Sequence, residues 1–194
     1  MTNTFTKSFF FLMLLFFTIS CDKDDESSGT NFLSNGDIEN GQQDWGSNTS
    51  DSFNANKYKF GVSNDVSCSG KSSLFISSDS TKNNGAFANY VQSFPASSFK
   101  SGDNLTLTVN VKGENLKGEG VSIAFRGNKN GVVQPTFFKT TQGFNPLNGT
   151  FDCKEVKVTL NPYLGDSDII SVFLIMLPNT TGKVYFDDIF LTNK

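Results

Sequence analysis

Residues 104–113 alternate without a break. Leu105, Leu107, Val109 and Val111 are apolar, and Thr106, Thr108, Asn110 and Lys112 between them are polar. Successive side chains of an extended strand point to opposite faces, so a period of two means one face buried and one in water. Val121, Ile123 and Phe125 repeat the pattern, as do Val156, Val158 and Leu160. Residues 169–177 are apolar almost throughout, which fits a central strand. Further strands are expected at 58–62, 71–77 and 86–94. Residues 31–39 are expected to be extended, with Leu33, Asn35, Asp37 and Glu39 on one face. Turn residues separate these runs, and no long amphipathic helix appears. The pattern is that of an all-β protein, an antiparallel β-sandwich. Composition agrees: 21 Phe and 17 Gly, with many Thr, Ser and Asn. The length suits one domain, residues 31–194.

Two carboxylates interrupt the last apolar run, Val184-Tyr185-Phe186-Asp187-Asp188-Ile189-Phe190-Leu191. Regular alternation would place Asp188 with Val184, Phe186 and Phe190, and Asp187 with Tyr185, Ile189 and Leu191. Whichever face is buried takes a carboxylate with it, and a buried ionised carboxylate needs a partner. The chain has no His, so a cation is a natural candidate. A second acidic stretch, Asn35-Gly36-Asp37-Ile38-Glu39, lies near the start of the domain.

The absence of His removes the Ser-His-Asp and Cys-His mechanisms and the usual zinc sites. Glycoside hydrolysis needs two carboxylates flanking a cleft. Glu114, Glu119 and Glu155 fall in polar turns or at strand starts, so the chain reads as non-catalytic. The net charge is -3, and no basic cluster is present, which argues against a nucleic-acid partner.

Residues 1–20 carry Lys7 and then the apolar run 9–17, the layout of a secretory signal peptide. Thr18-Ile19-Ser20-Cys21 resembles a bacterial lipoprotein cleavage box, which implies lipidation of Cys21. Residues 21–30, rich in charge and small polar side chains, read as a flexible acidic tether. Its Lys23-Asp24-Asp25-Glu26 resembles the export tag of Bacteroidota lipoproteins shown on the outer face of the outer membrane. The expected location is therefore that surface, with the membrane engaged only through the lipid.

Asn35-Gly36-Asp37-Ile38-Glu39 with Trp45, then Gly70-Lys71-Ser72-Ser73-Leu74, then the strand ending Val111-Lys112-Gly113, then 184–191, follow one another in a recognisable order. That order resembles the galactose-binding-like, jelly-roll β-sandwich, and more narrowly the carbohydrate-binding modules of families 4, 9 and 22. The resemblance implies a structural calcium ion joining the first and last segments. Its matching positions here are Asp37, Glu39, a main-chain oxygen near Lys71, and Asp188, hard oxygen donors of the kind calcium takes. It also implies binding of an extracellular glycan, on aromatic platforms along a concave sheet or at loop tips.

Candidate platforms are Trp45, Tyr58, Tyr90, Phe137, Phe138 and Phe144, with Tyr90 foremost because Gln92 shares its face. The amides Asn83, Asn84, Asn89 and Gln92 suit a neutral sugar, since they both donate and accept. Two departures from the family favour an alternative. The loop before Ala86 has Lys82-Asn83-Asn84-Gly85 where an exposed aromatic is expected, and 169–177 offers almost no polar group. The alternative is a scaffold or adhesion domain of a surface protein assembly, without its own sugar site. Cys68 and Cys153 are either a disulfide, as an exported domain permits, or two free thiols.

Overall fold

In a computed structural model, described for residues 29–50, 57–79, 85–144 and 146–193, the alternating runs become ten strands. The expected signal segment, Cys21, Asn83 and Asn84 lie outside the described residues. In chain order the strands are β1 (Gly46–Thr49), β2 (Lys59–Ser63), β3 (Ser73–Ser78), β4 (Ala88–Pro95), β5 (Leu105–Lys117), β6 (Val121–Lys129), β7 (Val132–Thr140), β8 (Gly149–Leu160), β9 (Ile169–Met176) and β10 (Thr181–Asn193). They make two five-stranded sheets, ordered β1-β4-β9-β6-β7 and β2-β3-β10-β5-β8. All recorded pairings are antiparallel.

The core is what the period of two predicts. Leu105, Leu107, Val109 and Val111 of β5 are fully buried, facing Val121, Ile123 and Phe125 of β6 and Ile170, Val172, Leu174 and Met176 of β9 in one cluster. Strand β9 is central in its sheet. Its other face is not sealed, however: Phe173 and Ile175 are half-buried and Ile169 is exposed. An apolar run therefore reaches the surface instead of being covered on both sides.

Three expectations need correction. Residues 31–39 are not extended. Asn35 and Ile38 adopt left-handed backbone (φ 46° and 58°), and the chain turns repeatedly through 33–44. The Asn35 amide donates to Gly41 O and Gln43 O (3.0 and 2.9 Å) and accepts from Asn40 N–H at 3.1 Å. A short side chain thus takes the place of a strand partner, as Asn does in turns. Gly36 sits here against β10, accepting from Ile189 N–H at 2.8 Å. A Cβ on Gly36 would fall 2.2 Å from Ile189 O.

The second correction concerns β10. Asp187 lies opposite Asn110 but Phe190 lies opposite Thr108, so β10 carries one extra residue, with Asp188 at φ 46°. A bulge of this kind flips the alternation. Val184 and Phe186 face the core before it, Ile189 and Leu191 after it, and Phe190 is turned outward. Third, β1 and β7 were not expected. Strand β7 contains Pro135, which cannot donate to a ladder, and β7 indeed lies at a sheet edge.

Candidate functional site

The open face of the first sheet is built by register. Phe173 lies opposite Val91 of β4 and Ala124 of β6, and Ile175 opposite Asn89 and Ser122. Ser171 lies opposite Ser93 and Arg126. Across the next ladder, Arg126 faces Phe138 and Ala124 faces Thr140. These rows floor a groove of about 380 Å³, lined also by Phe87, Gln142, Leu177 and Pro178. Phe138 and Phe87 stand exposed at its borders, 47% and 38% accessible. The Arg126 guanidinium carbon sits 4.9 Å from the Phe173 ring centroid, a cation–π contact. Thr140, Gln142 and Arg126 supply its polar groups, and Thr140 bonds the buried Ser122 hydroxyl beneath at 2.9 Å. Aromatic faces and polar groups thus share one open surface, an arrangement suited to a ligand with an apolar face and a polar rim.

The sequence-predicted platforms lie elsewhere, with one exception. Tyr90 is fully buried, and its hydroxyl lies 3.0 Å from Gly61 O and 3.2 Å from Phe75 O, donating toward β2 and β3 of the opposite sheet. Burial pushes its phenol up to about 12. Gln92 shares that face, as expected, but the face points inward. Its amide accepts from Ser34 N–H at 2.8 Å and donates to Ser34 O at 2.9 Å, pinning the first segment to β4. Trp45 is buried, with its indole N–H on Asn35 O at 3.1 Å. Tyr58 and Phe137 are buried too, and Phe144 is exposed against a separate hollow with Leu147. None of Tyr90, Gln92 and Trp45 reaches the surface, which corrects their assignment as sugar contacts. Parity showed which residues share a side, but not which side faces in. Only Phe138 of the predicted aromatics borders the groove. Phe87 and Phe173 were missed because exposure at a sheet face leaves no periodic signal.

The acidic segments converge on the turn before β3. Asp187 is fully buried; one oxygen accepts from Cys68 N–H (2.7 Å) and Ser69 N–H (3.0 Å), the other from Asp188 N–H (2.8 Å). Its partners are main-chain N–H donors. Burial raises its pKa, the three N–H bonds oppose that, and repulsion from Asp188 adds to it. Asp188 accepts from Ser69 Oγ at 2.6 Å and Asn110 Nδ2 at 2.9 Å. Glu39 accepts from Lys71 N–H (2.6 Å) and Ser72 N–H (3.1 Å), and Asp37 from Glu39 N–H at 3.4 Å. Neither ion pair among the described residues, Lys112–Asp152 or Lys157–Glu155, involves these four acids. No three Asp, Glu, Cys or His side chains among the described residues form a metal-holding group. Cys68 and Cys153 are joined in a disulfide that ties the same turn to β8.

No family model and no curated protein matches the sequence. Solved structures do match. The enzymatically active domain of tailspike protein 4 from bacteriophage CBA120 aligns with a TM-score of 0.64 and 14% identity, over 84% of this chain but only 21% of that chain. TmCBM61, solved with β-1,4-galactotriose, aligns at 0.56 and 14% identity, over 86% of this chain and all of the module. The CBM22-1 xylan-binding domain of Paenibacillus barcinonensis Xyn10C aligns at 0.53 and 13%, over 85% and 95%. Modules of families 4, 11 and 16 share the fold as well. The chain therefore has the two-sheet β-sandwich fold of carbohydrate-binding modules.

Proposed function

We propose that this protein binds an extracellular glycan, without catalysis, in the groove on the open face of the β1-β4-β9-β6-β7 sheet. The observation that carries the reading is the groove itself: Phe87, Phe138 and Phe173 beside Arg126, Thr140 and Gln142 on one surface. A sugar ring presents a C–H face to an aromatic plane and hydroxyls to the groups around it. The neighbours' ligands, galactotriose and xylan, are of that chemistry. Cys21 and the tether would hold the groove outside the cell. A glycan array probed with the purified protein should give binders of about 10 µM to 1 mM, as an open groove with few anchors allows. Phe138→Ala should weaken them at least about tenfold with an unchanged melting curve. Whole cells should display the same binding, and Cys21→Ala should release the protein from them. An array without binders removes the glycan reading in favour of the scaffold alternative.

Calcium is a separate part of the proposal. Glu39 and Asp188 bond the same turn, neither belongs to an ion pair among the described residues, and Asp187 beside them is charged only at a cost. Asp37, Glu39, Asp188 and the Lys71 carbonyl, oxygen donors of the kind a hard ion takes, are the residues that would hold it, although their carboxylates are not gathered into one group among the described residues. Asp187 is excluded, because it is fully buried and its oxygens accept three main-chain N–H groups. When bound, the ion would supply charge neutralisation and a tie between the first segment and β10. Binding to the folded state alone stabilises by mass action, about 2.7 kcal/mol at a hundredfold excess over Kd. Chelator should lower the melting temperature, and Glu39→Gln should remove that shift. A melting curve indifferent to chelator would defeat the assignment.

A further inference from the structure

Resting on the glycan groove above, we infer that the ligand is acidic: a polysaccharide whose sugars carry an anionic group, foremost the carboxylate of a hexuronate. Arg126 is the only arginine in the chain, and it is placed mid-groove between Ser171 and Phe138. Its Nε is buried without a hydrogen-bond partner, and neither ion pair among the described residues includes it. Its one recorded contact is with the face of Phe173. Asp168, in the turn before β9, accepts from Asn130 N–H, and Asp166 accepts from the Thr136 hydroxyl through Oδ2 while its Oδ1 is buried without a partner; neither forms an ion pair with Arg126. Among the described residues, the groove lining contains this one cation and no carboxylate. A charge kept in an apolar groove without a counter-ion, and a buried donor left open, both call for an acceptor.

The class of that acceptor follows from the guanidinium. Its planar fork matches a carboxylate through two parallel N–H···O bonds, whereas a sugar hydroxyl satisfies one donor and returns no charge. A hexuronate provides the other half: its ring can lie on Phe138 or Phe173 while its carboxylate projects from the rim. Of the amides behind the neutral-sugar expectation, Gln92 is committed to Ser34 and Asn89 is buried, while Asn83 and Asn84 lie outside the described residues; among the described residues the groove lining has Gln142 as its one amide.

Calorimetry with the full-length protein tests this. The probes are oligomers of galacturonate, mannuronate and glucuronate, each beside its carboxyl-reduced neutral form, and a sulfated galactan beside its desulfated form. At least one acidic probe should bind about tenfold or more tightly than its neutral counterpart, and the difference should shrink with added salt. Arg126→Gln should bring the pair to within about twofold, and Arg126→Lys should keep part of the preference. A preference confined to the sulfated probe supports the inference and names the anion as a sulfate ester. If neutral forms bind as tightly, and Arg126→Gln leaves them alike, the acidic assignment fails while the glycan groove stands. If no probe of either class binds, and the array is empty as well, the glycan reading falls and takes this inference with it. Should Arg126→Gln fail to fold, the wild-type ratio and its salt dependence still decide.

Discussion

Replacing both Cys68 and Cys153 with Ala should lower the unfolding free energy by about 4–5 kcal/mol, since the bridge spans 85 positions and constrains a long loop of the unfolded chain. For a domain whose total stability is of order 5–15 kcal/mol, that is a large share. The effect should not stop at chain entropy. The turn at Cys68 and Ser69 supplies two of the three N–H groups that satisfy buried Asp187. Releasing this turn from β8 lets water compete for those bonds, and an unsatisfied buried carboxylate is costly. Urea unfolding of the double variant beside wild type, with and without reductant, reads both parts. A double variant with the wild-type midpoint would mean that the bridge adds nothing to the fold.

Tyr90→Ala is the second large effect, a loss of about 3–5 kcal/mol. The ring is fully buried against Phe60, with centroids 5.4 Å apart and nearly perpendicular. Its hydroxyl also reaches from β4 to the carbonyls of Gly61 and Phe75 on the opposite sheet. Removing it leaves a cavity and takes away the one hydroxyl proton that the two carbonyls share. Tyr90→Phe keeps the ring and should cost only about 1 kcal/mol. Neither variant should alter glycan affinity in whatever fraction stays folded, whereas Phe138→Ala should do the reverse. If Tyr90→Phe weakens glycan binding without changing the melting curve, Tyr90 is at the site after all, and the inward placement of β4 is wrong.

That contrast marks the boundary between sequence and structure in this protein. The alternation at Leu105–Val111, repeated at Val121–Phe125, is a local property of the strand, so it carried the β-sandwich, the one-faced burial and much of the core without any tertiary information. The acidic segments were also legible, because a carboxylate within an apolar run is improbable unless something satisfies it. Other features depended on partners distant in the chain. Tyr90 and Gln92 share a side whichever way β4 turns; only the opposing β2 and β3, and Ser34, decide that this side is the interior. The bulge at Asp187–Phe190 lies where β10 pairs with β5 and Asp187 meets the turn at Cys68, and it reverses which residues of one strand are buried. Cys68 and Cys153 carry no pairing signal of their own, since a disulfide requires proximity and proximity across 85 positions is a product of the whole fold. The groove is the clearest case. Phe87, Arg126, Phe138 and Phe173 come from four separate segments, and they become one surface only when strand order places β9 beside β4 and β6, and β6 beside β7.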